Sequence, residues 1–75
     1  SKAVEQLEKA FRLSGNDPVV GEHLADAYAK TGRTSEAIRT YRDCEARTED
    51  ESQRRRVAEK IVQLESRART EPSGI

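Results

Sequence analysis

Apolar residues recur along this chain at spacings of three and four, with charged residues filling the positions between them. Four segments carry such a stripe. The first holds Ala3, Val4, Leu7, Ala10 and Phe11, and the second Val20, Leu24, Ala27 and Tyr28, with Ala25 beside them. The third holds Ala37, Ile38, Tyr41 and Cys44, and the fourth Val57, Ala58, Ile61, Leu64 and Ala68. That spacing keeps one face of a helix apolar, and no segment shows the strict alternation of a strand.

The residues between the stripes predict where helices stop and start. In Ser14-Gly15-Asn16-Asp17-Pro18, Gly15 can take the left-handed turn that closes a helix. Asp17 is a good N-cap, and Pro18 suits the first helical position, where a missing N–H costs least. In Thr31-Gly32-Arg33-Thr34-Ser35, Gly32 ends a helix and Thr34 or Ser35 caps the next. Thr48 and Glu51 have capping-box spacing, which starts a last helix near Glu49 or Asp50. The expected fold class is therefore all-α, with four helices near 2–13, 18–31, 35–47 and 50–69. Connections this short make neighbouring helices antiparallel. Residues 70–75 contain Pro72 and Gly74 and no period, and are expected to be disordered.

Composition changes the picture in a few respects. With 75 residues the chain makes one small domain. Only 33% is apolar and 37% is charged, and the 14 basic and 14 acidic residues cancel. Val, Ile, Leu and Phe number 13, few enough to raise the question of disorder, but the nine Ala and one Cys can serve as small core residues. A neutral balance argues against a general polyanion binder. No run approaches the roughly 20 apolar residues of a membrane span, and no signal-peptide pattern opens the chain. A single Cys makes no internal disulfide, which fits a reducing, cytoplasmic setting.

Shifting the sequence by 34 residues aligns the first stripe with the third. Ala3 falls on Ala37, Val4 on Ile38, Leu7 on Tyr41 and Ala10 on Cys44. The same shift puts Leu24 on Ala58, Ala27 on Ile61 and Tyr28 on Val62. Helix pairs repeating every 34 residues resemble the tetratricopeptide repeat (TPR) family. The resemblance rests on Leu24, Ala25 and Tyr28 in a first helix, Gly32 in the turn, and Ala37, Tyr41 and Cys44 in a second helix. It implies an α-solenoid of antiparallel helix hairpins: 1–17 as the second half of a repeat, 18–49 as a full repeat and 50–69 as a capping helix closing the array. Gly21 departs from the pattern, since the family often has Trp or another large residue there, and Glu49 replaces the usual Pro. Both departures imply weaker packing between pairs. The first helix lacks its own partner, so its face of Val4, Leu7 and Phe11 is expected to be exposed and to support self-association.

Candidate chemistry is sparse. His23 stands near Glu22 and Asp26, but metal sites need more ligands than one His and two carboxylates supply. Cys44 lies late in its helix at a packing position, which suits a buried thiol. Arg54-Arg55-Arg56, Lys60, Arg67 and Arg69 give the last helix a basic tilt, yet Glu51, Glu59 and Glu65 interrupt it and no aromatic is present to stack a base. No phosphate loop, nucleophile-base set or catalytic carboxylate pair is present, so no enzyme, cofactor or metal is expected.

The resemblance implies a concave groove lined by first helices. Its positions fall on Val19, Glu22, Asp26, Ala29 and Lys30, and on Gln53, Arg56, Lys60 and Gln63. Glu22 and Asp26 stand where some family members hold a peptide's terminal carboxylate with Lys and Asn, so that ligand is not expected. The acids can instead pair with Arg56 and Lys60. The expected function is a non-enzymatic interaction module that binds a protein or peptide through this groove. Two alternatives stay open: a structural end piece of a larger enzyme or secretion protein, and RNA binding by the Arg-rich last helix.

Overall fold

The computed structural model describes residues 2–70, with side chains from 2 to 68. The chain folds as α1 (Lys2–Leu13), α2 (Pro18–Lys30), α3 (Thr34–Arg47) and α4 (Glu51–Thr70), all of them α-helices. Each boundary lies within one residue of the expected one. The tail expected beyond Thr70 falls outside the described residues.

Local chemistry explains the ends. Gly15 and Gly32 sit at φ +72° and +81°. After α1, Gly15 N–H donates to Arg12 at 3.2 Å and Asn16 N–H to Phe11 at 2.9 Å. After α2, Gly32 N–H donates to Ala29 at 3.2 Å and Arg33 N–H to Tyr28 at 2.8 Å. Both are Schellman closures, which satisfy the carbonyls that a helix end leaves over. Asp17 caps α2 by accepting from Val19 N–H at 2.7 Å and Val20 N–H at 3.4 Å.

Two caps differ from expectation. Neither Thr34 nor Ser35 caps α3. The closure at Gly32 brings the chain into helix early, so Arg33 holds the cap position without a side-chain cap bond. Its guanidinium binds Glu36 through two 2.8 Å bonds and lies 4.9 Å from the Tyr28 ring. At α4 the Thr48–Glu51 box does not form. Thr48 ends α3, and its hydroxyl accepts from Asp50 N–H at 3.1 Å. Asp50 then caps α4 by accepting from Ser52 N–H at 2.9 Å and Gln53 N–H at 3.4 Å. The extended backbone at Thr48 aims its hydroxyl at the turn rather than at the helix.

Packing runs between consecutive helices, α1 on α2, α2 on α3 and α3 on α4, in a slab of 42 × 30 × 12 Å. The core holds Val4, Leu24, Ala25, Tyr28, Ala37, Tyr41, Cys44, Val57, Ile61 and Leu64. The exposed face expected on α1 is not observed. Val4 is 1% exposed, and Leu7 and Phe11 are half-buried against the core. The helix that covers them is α2, which folds back on the same stripe. The uncovered side of α1 carries Ala3 and Ala10 instead.

Gly21 does not leave a void. Phe11 and Cys44 close over it, so a Cβ placed there would stand 2.6 Å from Cys44 Sγ and 2.7 Å from Phe11 Cε1. The bulk missing from α2 is supplied by its neighbours on both sides. This corrects the expectation of weaker packing at Gly21.

Candidate functional site

The groove positions lie along α2 and α4, which run side by side in the same direction. At their N-terminal ends Gln53 donates to the Pro18 carbonyl at 3.2 Å and to Glu22 at 3.0 Å. One turn on, Arg56 grips Glu22 with two 2.7 Å bonds. Lys60 follows, 2.9 Å from Glu22 and 3.0 Å from Asp26. The pairs Glu22–Arg56 and Asp26–Lys60 are each separated by 34 residues. Tyr41 of α3 donates its hydroxyl to Asp26 from beneath, and Lys60 Nζ lies 5.7 Å from the Tyr41 ring. Three helices thus meet in one polar network.

Burial sets the electrostatics. Glu22 is 7% exposed, yet its pKa lies well below the usual carboxylate range. The bonds from Arg56 are the largest cause, and Lys60 and Gln53 add to them against the opposing effect of burial. Burial also disfavours the Lys60 charge, but its bonds to Glu22 and Asp26 outweigh that and raise its pKa. Tyr41 is raised by burial first and then by donating its hydroxyl to the Asp26 carboxylate. In the neighbouring α1–α2 contact, burial and a hydroxyl bond to Glu8 at 2.5 Å push Tyr28 up to about 12.

The network divides the groove into two shallow clefts. The N-terminal one, about 610 Å³, is bordered by Asp17, Val19, His23, Glu49, Asp50 and Arg56, among others. The C-terminal one, about 390 Å³, is bordered by Ala29, Lys30, Tyr41, Gln63, Leu64 and Arg67, with Asp26 and Lys60 at its inner edge. Carboxylates outnumber cations around the first, and cations outnumber carboxylates around the second.

The sequence-derived groove therefore splits by role. Val19, Lys30, Arg56 and Gln63 are exposed, and Asp26, Ala29 and Lys60 half-buried, while Glu22 and Gln53 are buried in the network. Asp17, Glu49, Asp50, Leu64 and Arg67 were not expected at the clefts. Leu64 and Arg67 follow from Lys60 by helical spacing, so the register of α4 carried the signal for them.

The arrangement is poor in reactive chemistry. Cys44 is buried, and its thiol is pushed up to about 11 by that burial, with the nearby charges of Asp43, Glu22 and Asp26 adding to it. His23 is exposed, and Glu22 and Asp26 are bound to cations and a hydroxyl. No group of three metal-ligating side chains stands together among the described residues. Nor is any helix among them long and apolar enough to cross a membrane. No protein-family model, curated protein or solved structure matches the chain.

Proposed function

We propose that the chain is a non-enzymatic interaction module, a helical-repeat segment of the tetratricopeptide type that receives an extended peptide along α2 and α4. The observation that carries the reading is the pair of clefts of opposite charge flanking a neutralised bridge. The repeat assignment draws on the 34-residue offset at which α2 and α4 pair. The bridge leaves no charge in the middle of the groove to match, so recognition falls to its two ends. A peptide with a basic half and an acidic half fits both, its basic half beside Asp17, Glu49 and Asp50 and its acidic half beside Lys30 and Arg67.

RNA binding is less well supported. Arg54 donates to the Thr48 carbonyl at 2.6 Å and pairs with Glu51, and Arg56 is held by Glu22. Two members of the arginine run are thus already engaged.

Titration with synthetic eight-residue peptides, followed by amide shift mapping, tests the proposal. A basic-acidic block peptide should bind about tenfold more tightly than all-basic or all-acidic peptides, and salt should weaken it. Shifts should centre on Val19, Lys30 and Gln63. Shifts confined to the far side, around Arg39, would refute the groove. Absence of any shift would favour a structural end piece.

A further inference from the structure

The α2–α3 interface has counterparts of both its halves elsewhere in the chain, and among the described residues neither is buried as the original is. Shifted forward by 34 residues, Gly21, Leu24, Ala25 and Tyr28 of α2 fall on Arg55, Ala58, Glu59 and Val62 of α4. Shifted back, Ala37, Tyr41 and Cys44 of α3 fall on Ala3, Leu7 and Ala10 of α1. The α2 and α3 residues are all buried. Their counterparts are not: Val62 is 63% exposed, Arg55, Glu59, Ala3 and Ala10 are exposed, and Ala58 and Leu7 are half-buried. On α4 they border a shallow, mostly apolar cleft of about 360 Å³.

We infer that α4 of one copy of this chain seats against α1 of a second copy, head to tail, forming between molecules the helix pair that α2 and α3 form within one. Three features select a second copy as the occupant. The two bare faces are related to the two halves of one observed interface by the same offset that places α4 beside α2. The small side chains of Ala3 and Ala10 permit the close approach that Ala37 and Cys44 permit on α3. Arg55, at the place of Gly21, meets Ala10 rather than a cysteine, so one of the two atoms that would crowd a Cβ at Gly21 is missing there.

Charge fits as well. Glu36 binds Arg33, whose guanidinium lies 4.9 Å from the Tyr28 ring, which places Glu36 beside Tyr28. Lys2 has the position of Glu36 and Val62 that of Tyr28, so Lys2 arrives at the turn bearing Glu59. The contact joins two different faces, so it does not close at a dimer, and copies add in a row.

Sedimentation velocity over a concentration series tests this. The weight-average mass of the intact chain should rise past that of a dimer. Ala10→Glu blocks the α1 face and Val62→Lys the α4 face, both at exposed sites where helical circular dichroism should be unchanged. Each variant alone should remain monomeric. An equimolar mixture should form a one-to-one dimer and nothing larger, because each variant keeps the face the other has lost. As a second pair, Lys2→Glu should weaken association and Glu59→Lys in the same chain should restore it. A wild-type monomer at every concentration would overturn the inference. So would association that survives both blocking variants, or a mixture that stays monomeric while the wild type associates. The groove residues of α2 and α4 are untouched in these variants, so peptide binding and self-association can fail separately.

Discussion

Glu22 and Arg56 are joined by two 2.7 Å bonds across the seam between α2 and α4. The carboxylate is buried while the guanidinium side chain is 53% exposed. The acid therefore depends on the base far more than the base depends on the acid. Losing Arg56 leaves a buried charge held only by Lys60 and Gln53, whereas losing Glu22 returns Arg56 to water.

That asymmetry gives an ordered pair of outcomes. Glu22→Gln should cost about 1–2 kcal/mol, the value of charge-assisted bonds at a partly wet seam. Arg56→Ala should cost more than Arg56→Lys, since an ammonium can still neutralise Glu22 but cannot bind both oxygens. Urea midpoints at an unchanged slope would measure both. A Glu22→Gln midpoint equal to wild type would show that the seam contributes nothing to stability.

The same pair sets an acid limb. Glu22 titrates at about 4.3 when unfolded and well below that when folded, so the unfolded chain binds its proton first. Its contribution is complete above about pH 5, shrinks as the pH falls through the unfolded value, and is gone only once folded Glu22 protonates. Wild type should therefore exceed Glu22→Gln most near neutrality. The gap should narrow between about pH 5 and about pH 3. A gap that does not change with pH would mean that Glu22 acts by shape rather than by charge.

Gly21 offers a test whose sign is the result. At an exposed helical site Gly→Ala stabilises by about 1 kcal/mol. Here the new Cβ meets Cys44 Sγ at 2.6 Å and Phe11 Cε1 at 2.7 Å. Overpacking of that kind costs about 1–3 kcal/mol, which outweighs the propensity gain. Gly21→Ala should lower the melting temperature, and adding Cys44→Ala should recover part of the loss. A stabilised Gly21→Ala would show that the contact is loose.

Cys44 should be nearly inert in the folded chain. Its burial and its thiol pKa of about 11 leave little accessible thiolate. Labelling by an aromatic disulfide near neutrality should run at least about 100-fold slower than in urea, because it waits for opening of the core. Equal rates would show that α3 frays from its neighbours.

Local signals determined most of the fold. Helix ends follow from Gly15, Gly32, Asp17 and Pro18, because positive φ and capping depend on residues a few positions apart. Nine of the ten core residues belong to the apolar stripes and Ala25 lies beside one, since a helix that buries a face must carry that face in its own periodicity. Cys44 at a packing position was readable for the same reason. The pairing of Glu22 and Asp26 with Arg56 and Lys60 followed from the groove positions that the resemblance implies, carried onto α4 by the 34-residue register.

Other features needed the tertiary structure. A stripe shows that a helix has a buried face but not which neighbour covers it, so Val4 looked exposed until α2 was seen to fold back over it. Glu22 and Gln53 have the composition of a wet groove, and only the convergence of three helices shows them to be structural. Gly21 carries no side chain to reveal its neighbours, and the reason for it lies in Phe11 and Cys44, ten residues before it and 23 after. Periodicity and caps are properties of a few adjacent residues. Burial, desolvation and the state of a charge depend on what distant parts of the chain bring alongside.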